Sequence, residues 1–304
     1  MRYAVLALVI LFCSTGFGIA AERERALEIG GKQRNYTLVT PDKQTVPAPL
    51  LIVYHGGGDS ARRALGYTRF DRLAGKENAA IAFPQGVDGN WNDGRQTTDL
   101  RQRATSGVDD VAFTLAIIDQ LVAENIVDPA RVFLTGASNG GMMTLRTACD
   151  AAERIAGIAP VVANQPTDWQ CNPSRAIPAM FFNGTEDEFM PFEGGRIAAA
   201  KTRKDLGAVE SVADTIAAFR RIDGCSGVKK TETHDEQESD HTRAIVTDYE
   251  CSKAPLRQVV IEGGGHTWPG ARSGVVAGMV LGRTTPEIDA TKEIWEFFKS
   301  LPSR

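Results

Sequence analysis

The segment FLTGASNGG, Phe133–Gly141, decides the fold because it joins an apolar strand to a helix through a short glycine-rich turn. Its centre, Gly136-Ala137-Ser138-Asn139-Gly140, has the G-x-S-x-G spacing of a nucleophile elbow in the strand–turn–helix context that the motif requires. The turn holds its serine in a strained conformation, so only small residues fit two positions before and after it. The helix N-terminus that follows favours developing negative charge. We therefore predict that Ser138 is a nucleophile, with an ordinary strand-to-helix turn as the alternative.

On both sides of this turn, short apolar runs alternate with segments whose apolar residues have helical spacing. Six runs predict buried strands: Pro49–His55, Ala79–Gln85, Arg131–Gly136, Ala156–Ala163, Ile177–Gly184 and Arg257–Gly263. Four segments predict helices: Val111–Glu124, Asn139–Asp150, Ser211–Ile222 and Glu287–Lys299. This alternation predicts an α/β fold with a mostly parallel sheet covered by helices on both faces.

The N-terminal part of the chain has a different pattern. ALEIGGKQRNYTLVTP alternates polar and apolar residues around Gly30-Gly31, which predicts an antiparallel hairpin at the sheet edge. No repeat or low-complexity linker divides the chain, so we expect one catalytic domain over residues 22–304.

A nucleophilic serine requires hydrogen-bond donors for the oxyanion that forms on its substrate. YHGGGDS, Tyr54–Ser60, follows the first buried strand and precedes a helix, and such an HGGG turn exposes backbone N–H groups without side-chain obstruction. We predict Gly57, or a neighbouring glycine, as one donor and the Asn139 N–H as the other. His55 is predicted to be structural, shaping the turn.

An acid and a base should follow the serine in the order Ser, Asp or Glu, His. NGTEDEFMPFEGG, Asn183–Gly195, offers Glu186, Asp187 and Glu188 after an apolar strand. We choose Asp187 from its distance past the Gly184 turn, and we expect the two glutamates to be solvated. The segment VVIEGGGHTWPG then places His266 at the carboxyl end of the last strand, where sites form in α/β proteins.

The first residues predict export. MRYAVLALVILFCSTGFGIAA has an early Arg2, an apolar run over Tyr3–Phe12 and small residues before a cleavage point, so residues 1–21 read as a signal peptide. The apolar run is too short to span a bilayer, and a lipid anchor on Cys13 is a weaker alternative. A net charge of −4 argues against nucleic-acid and anionic-membrane partners. We expect a secreted, extracellular or periplasmic protein.

Four cysteines remain after the leader: Cys149, Cys171, Cys225 and Cys251. An even number in an exported chain predicts two disulfides, and proximity favours Cys149–Cys171 and Cys225–Cys251 among the three connectivities. Their spacing matches no zinc motif. The acidic stretch Lys229–Arg243 contains two histidines but is read as a solvated loop or edge strands rather than a metal site. We expect neither a metal nor an organic cofactor.

These motifs together resemble the secreted polyhydroxybutyrate depolymerase and feruloyl esterase group of α/β-hydrolases. The resemblance extends from about Tyr36 to Phe298 and is carried, in chain order, by HGGG, FPQG, WNDGR, GVDDVAF, DPARVFLTGASNGGMM, NGTEDEFMPFEGG, DGC with YEC, and GGGHTWPG. It implies a Ser138–Asp187–His266 triad, carboxylic ester hydrolysis and a Cys225–Cys251 bridge. The acid loop departs from the family in its two glutamates, so Glu188 is the next candidate if Asp187 proves dispensable.

Four further residues fall inside these motifs. Asp109 and Asp110 match the paired aspartates of the family, and their position at a helix start favours a capping or buried structural role. Trp91 and Trp268 are candidates for lining the substrate pocket, with plain packing as the equal alternative for each.

Three functions fit the sequence. The first is hydrolysis of polymer-derived esters: hydroxyalkanoate oligomers, or feruloyl or acetyl esters of plant polysaccharide. The second is acyl transfer by the same triad to an acceptor alcohol. The third is a non-catalytic polymer- or glycan-binding module, which the presence of all three triad residues disfavours.

Overall fold

The computed structural model describes residues 20–41, 47–97, 105, 107–197, 205–271 and 281–304. The predicted signal peptide, residues 1–21, lies outside these residues except for its last two. Twelve strands are present in the described part of the chain: Ala20–Ile29 (β1), Lys32–Pro41 (β2), Ala48–Tyr54 (β3), Ala80–Pro84 (β4), Val127–Ala137 (β5), Gly157–Val161 (β6), Ala179–Gly184 (β7), Gly195–Arg196 (β8), Ala208–Val209 (β9), Cys225–His234 (β10), Arg243–Cys251 (β11) and Leu256–Glu262 (β12).

The helices fall between these strands. They are Ala61–Thr68 (α1), Asp71–Glu77 (α2), Asp110–Ala123 (α3), Asn139–Asp150 (α4), Val212–Asp223 (α5) and Ala290–Ser300 (α6). Short 3₁₀ turns occupy Ala152–Arg154 and Glu238–Asp240. In the described residues, none of the helices combines the length and the hydropathy that a membrane span needs.

Ten of the strands form one sheet in the order β1-β2-β4-β3-β5-β6-β7-β12-β11-β10. The central block from β4 to β12 is parallel throughout. It consists of the six strands expected from the apolar runs. Because all six run in one direction, their carboxyl ends meet at a single edge of the sheet, and the loops that carry the predicted site residues leave from that edge.

Both faces of this sheet are covered, as near-continuous apolar strands predict. Leu50 and Ile52 of β3 belong to a core with side chains of α3, α4 and α5, while Leu51 and Val53 belong to a second core with α1, α2 and α6. The alternation follows from the two-residue period of a strand. The predicted α/β-hydrolase architecture, including the antiparallel N-terminal hairpin, is confirmed.

The two ends of the sheet are antiparallel. At one end β1 and β2 pair through a turn in which Gly30 and Gly31 have φ of 58° and 74°. At the other end β10 pairs with β11, and the acidic stretch of Lys229–Arg243 forms the last six residues of β10, the connection that follows and the first residue of β11. Cys225 and Cys251 face each other across this pair and are bridged.

A second disulfide, Cys149–Cys171, joins the last turn of α4 to the loop after β6. Both pairings are those that proximity along the sequence favoured. The bridge lies on the helix that Ser138 precedes.

Candidate active site

Ser138 lies between β5 and α4 in a backbone conformation that residues other than glycine rarely adopt. Its φ is 57° and its ψ is −123°, and such residues cost about 1–3 kcal/mol in strain. The surrounding structure fixes the turn: the Ser138 N–H donates to the Val161 carbonyl (2.9 Å), and the Ser138 carbonyl accepts from the Met142 N–H. The hydroxyl therefore stands at the start of a helix, where its orientation is set by backbone contacts.

The glycines two positions from Ser138 are required by close backbone approach. A Cβ on Gly136 would lie 2.7 Å from the Gly140 and Tyr54 backbones, and a Cβ on Gly140 would lie 2.4 Å from the His55 carbonyl oxygen. Real Cβ contacts are not that short. The small residues in the motif thus let β5, α4 and β3 approach closely enough to form the turn.

Asp187 and His266 lie on neighbouring loops and are joined by a hydrogen bond. The imidazole Nδ1 is 2.7 Å from Asp187 Oδ2. The other carboxylate oxygen accepts from two backbone N–H groups, those of Phe189 (2.9 Å) and Met190 (2.7 Å). The Asp187 side chain is 2% exposed and that of His266 is 11% exposed. The loop after β7 therefore holds a buried carboxylate in one orientation, directed at the ring.

The His266 loop is anchored on three sides. The Gly265 and His266 N–H groups donate to the carbonyls of Arg283 and Leu281, and the Gly264 carbonyl accepts from the Glu186 N–H. At Gly263, where φ is +71°, a Cβ would lie 2.2 Å from the His241 carbonyl oxygen. The turn after β12 thus has to be glycine at that point, and the loop it starts is fixed against the acid loop.

The loop after β3 brings the HGGG glycines to the elbow. A Cβ on Gly56 would be 3.9 Å from Ser138 Cβ, and one on Gly57 would be 3.5 Å from Asn139 Cβ. The Gly58 N–H donates to the Gly89 carbonyl, and the Gly56 N–H faces the Tyr67 hydroxyl. The Gly57 N–H makes no hydrogen bond within the described residues, which favours it among the three as an oxyanion donor.

His55 is buried and structural, as predicted. Its Nδ1 bonds to the Gly56 carbonyl (2.8 Å) and its Nε2 accepts from the Gly86 N–H (3.0 Å). Burial lowers the pKa of this imidazole. The neutral ring therefore ties the HGGG loop to the loop after β4.

The two tryptophans offered as pocket-lining candidates both pack inside the protein. Trp91 is fully buried and donates its indole N–H to the His55 carbonyl (2.9 Å). Trp268 is 5% exposed, packs near Tyr67 and Phe70, and donates to the Thr291 hydroxyl (3.0 Å). Their indoles are large apolar groups whose single donor is satisfied inside, so the packing alternative describes both.

The remaining motif carboxylates have the roles expected of them. Glu186 is 60% exposed and pairs with Arg283, and Glu188 is exposed. Asp109 caps α3 by accepting from the Ala112 N–H (2.8 Å). Asp110 is buried and pairs with Arg34 at 2.6 Å. Burial raises the pKa of Asp110, and Arg34 opposes the rise.

Phe189 is a site residue that sequence reasoning missed. Its ring stacks on the His266 imidazole, with centroids 5.2 Å apart and planes inclined by 28°. Its backbone N–H also donates to Asp187, so one residue touches both partners of the acid–base pair. Its place in the acid-loop motif, two residues after Asp187, was the available signal.

The chain is similar in sequence to known esterases. Residues 35–215 match the family model described as phospholipase/carboxylesterase, a match that includes Ser138 and Asp187 and ends before His266. The Nocardia uniformis subsp. tsuyamanensis protein named "Putative esterase NocK" is 31% identical over 261 residues, 83% of this chain and 75% of that protein. Feruloyl esterase B of Piromyces equi is 31% identical over 196 residues, covering 61% of this chain but only 34% of its own length.

A solved structure shares the fold. The acetyl xylan esterase from Aspergillus awamori aligns with a TM-score of 0.62 over 91% of this chain and 99% of its own, at 13% identity. Further feruloyl esterases and a poly(3-hydroxyalkanoate) depolymerase are among the relatives, which confirms the resemblance found in the motifs. The family match covers more than half of the sequence, and the chain therefore belongs to the phospholipase/carboxylesterase family of α/β-hydrolases.

Proposed function

We propose that this chain is a secreted serine esterase in which Ser138, Asp187 and His266 form the catalytic triad. The observation that carries the proposal is the 2.7 Å bond between Asp187 and His266 Nδ1, with the second carboxylate oxygen held by two backbone amides. An acceptor of three N–H groups is suited to the ionised carboxylate. It fixes the tautomer in which Nε2 is the free base, as the triad mechanism requires.

The reaction proceeds through an acyl-enzyme. His266 Nε2 takes the Ser138 proton as Oγ attacks the ester carbonyl, and the resulting oxyanion receives hydrogen bonds from the Gly57 and Asn139 N–H groups. His266 then gives its proton to the leaving alcohol as the C–O bond breaks. Water, deprotonated by His266, then attacks the acyl-enzyme. The bond between the acyl carbon and Ser138 Oγ breaks, the acid leaves, and Ser138 regains its proton from His266. In these reaction steps, side chains transfer the protons and backbone amides stabilise the oxyanion.

The relatives and Phe189 support a substrate class. Relatives named feruloyl esterase and poly(3-hydroxyalkanoate) depolymerase support an ester derived from plant polysaccharide or from a polyester. The partly exposed Phe189 ring beside His266 adds apolar surface next to the base. Methyl ferulate, acetylated xylan, hydroxybutyrate oligomers and nitrophenyl acyl esters, compared side by side, would define the preferred acyl group. Adding an alcohol acceptor and measuring ester products distinguishes hydrolysis from acyl transfer.

Replacing Ser138 tests the nucleophile. Ser138→Ala should lose ester turnover and labelling by a fluorophosphonate while keeping the wild-type circular dichroism spectrum. Ser211→Ala is the matched control, because Ser211 caps α5 and its loss should cost only about 1 kcal/mol of stability. A folded Ser138→Ala variant with wild-type kcat would contradict the proposal.

Replacing the acid tests the choice among three neighbouring carboxylates. Asp187→Asn should lower kcat by about 10⁴, since the neutral amide no longer fixes the productive tautomer of the histidine. Glu186→Gln and Glu188→Gln are the controls, because each likewise replaces a carboxylate by an amide of the same size on the same loop. Both should keep wild-type kcat. If Glu188→Gln loses activity and Asp187→Asn does not, the acid is misassigned.

A further inference from the structure

The segment Asn90–Asp93, which we call the brace, contacts both loops that carry the proposed oxyanion donors. At its first end, Asn90 Oδ1 accepts from the Gly58 N–H (3.3 Å), and the neighbouring Gly89 carbonyl accepts from the same group (2.8 Å). The Trp91 indole donates to the His55 carbonyl at 2.9 Å. The brace therefore holds the HGGG loop on both sides of Gly57.

At its second end the brace holds the side chain of Asn139. Asn139 Oδ1 accepts from the Trp91 N–H (2.8 Å), and its Nδ2 donates to the Trp91 carbonyl (3.1 Å) and to Asp93 Oδ2 (2.6 Å). The carboxamide thus exchanges two hydrogen bonds with the Trp91 backbone, as residues of neighbouring strands do. Asn139 is 2% exposed. Asn139, directly after the proposed nucleophile, is therefore bound to the brace through its side chain. Its backbone N–H is the group proposed to donate to the oxyanion.

Asp93 sets the orientation of that carboxamide. It is fully buried, Arg95 lies 3.3 Å away, and its backbone carbonyl accepts from the Trp169 indole (3.0 Å). A buried carboxylate is costly unless it is paired and hydrogen-bonded. A carboxylate only accepts hydrogen bonds, so it forces the NH₂ group of Asn139, rather than the oxygen, to face it.

We infer that the brace is a positioning device that sets the separation of the two oxyanion donors, with Asp93 acting through the Asn139 carboxamide. The inference rests on the proposed esterase function. Gly57 and Asn139 come from loops on different strands, β3 and β5, and the brace makes hydrogen bonds to both loops. Donors that must lie about 2.7–3.1 Å from one developing oxyanion need such a shared support.

The test is the effect of Asn139→Ala and Asp93→Asn on turnover of nitrophenyl acetate. Asn139→Ala keeps the backbone N–H and removes only its tie to the brace. We expect kcat to fall roughly 10- to 100-fold with KM within about twofold, because the donors act on the transition state more than on the bound ester. The inhibition constant for a boronic acid, which mimics the tetrahedral intermediate, should rise by the same factor.

The matched control is Asp223→Asn. Asp223 is also a fully buried carboxylate, but it lies at the end of α5 and accepts from the Ile177 N–H. Its replacement should leave kcat, KM and boronate affinity unchanged. A merely structural role for Asp93 would change the melting temperature and leave boronate affinity and kcat at wild-type values when measured well below the transition.

The double variant Asn139→Ala/Asp93→Asn separates a shared route from two independent ones. Loss of kcat no greater than in the single variants supports the inference, because both changes cut the same connection. Additive losses, or a folded Asn139→Ala with wild-type kcat, would overturn it. If Asp93→Asn does not fold, Asn90→Ala releases the other end of the brace, and wild-type kcat in that variant and in Asn139→Ala overturns it equally. Fluorophosphonate labelling of the wild-type protein is checked first, since its absence refutes the esterase proposal instead.

Discussion

Adding a single methyl group at Gly140 should move the elbow away from the HGGG loop. The Cβ of an alanine there would lie 2.4 Å from the His55 carbonyl oxygen and 2.5 Å from that of Tyr54, whereas ordinary contacts begin at 3.4 Å. Both obstructing atoms are backbone, at the end of β3, so no side chain can rotate aside. Relief requires the start of α4 to move by about 1 Å.

The magnitude has two parts. Overpacking of this kind costs about 1–3 kcal/mol, and each kcal/mol lowers the melting temperature by roughly 2–4 °C in a domain of this order of size. The same movement carries the Asn139 N–H away from the Gly57 loop, and a misplacement of about 1 Å can lower the rate about 10²-fold. Gly140→Ala should therefore lose turnover at temperatures where it is still folded.

The assay pairs thermal melting with steady-state kinetics on a nitrophenyl ester. Gly66→Ala is the matched control: Gly66 is exposed on α1 and a Cβ there meets nothing within 4 Å. That change should keep kcat and raise stability by about 0.5–1 kcal/mol, the helix preference for alanine. A Gly140→Ala protein with wild-type melting temperature and kcat would show that the backbones at the elbow are not in close contact, and would refute the reasoning.

Three further changes have expected outcomes. Arg34→Met removes the partner of a carboxylate, Asp110, whose side chain is 0% exposed, and should cost about 3–5 kcal/mol of stability in urea unfolding; a loss below 1 kcal/mol would mean that water reaches the site. Burial raises the pKa of Asp223 to about 7. The native state therefore keeps a proton that the unfolded chain releases near pH 4, and stability should fall as pH rises from about 4 through 7. Asp223→Asn should flatten that decline in stability, and an unchanged slope would contradict the raised pKa. Removing the Cys149–Cys171 bridge with two alanines should cost about 3 kcal/mol for a loop of 22 residues. Reducing agent should then lower the melting temperature of the variant, which keeps only Cys225–Cys251, by less than that of the wild-type protein, and an equal effect on both would contradict the expected cost.

The sequence was sufficient for the parallel sheet because its strands are buried on both faces and read as unbroken apolar runs. β5 begins at Val127, four residues before the strand that the apolar run from Arg131 predicts. Val127 pairs with Ala48 at the start of β3, and the polar and proline positions that follow it lie in a register irregularity before the next pair, Leu50 and Val132. Helix α2, Asp71–Glu77, was also missed, because seven residues of mixed charge carry little periodic signal.

For the site, chain order and the glycine motifs were enough to select Ser138, Asp187 and His266 as candidates. The roles of Asp93 and the Asn139 carboxamide were not predictable, because they depend on a contact between residues 46 positions apart. Nothing local to WNDGR distinguishes a buried aspartate from a solvated one. The tryptophans were ambiguous for the same reason: an indole looks alike in sequence whether it lines a pocket or packs beneath one.

The order of strands in the sheet has a consequence for how activity appears during folding. The proposed nucleophile and the HGGG loop depend on β3 and β5, which are adjacent, whereas the proposed base reaches the site only when β12 docks on β7. The bond that completes the acid–base pair joins residues 79 positions apart. Contacts of such separation carry a loop-closure penalty and form late in folding. On the proposed mechanism, esterase activity should therefore report the docking of β12 on β7. A partly folded chain with an intact elbow but an undocked β12 should stay inactive.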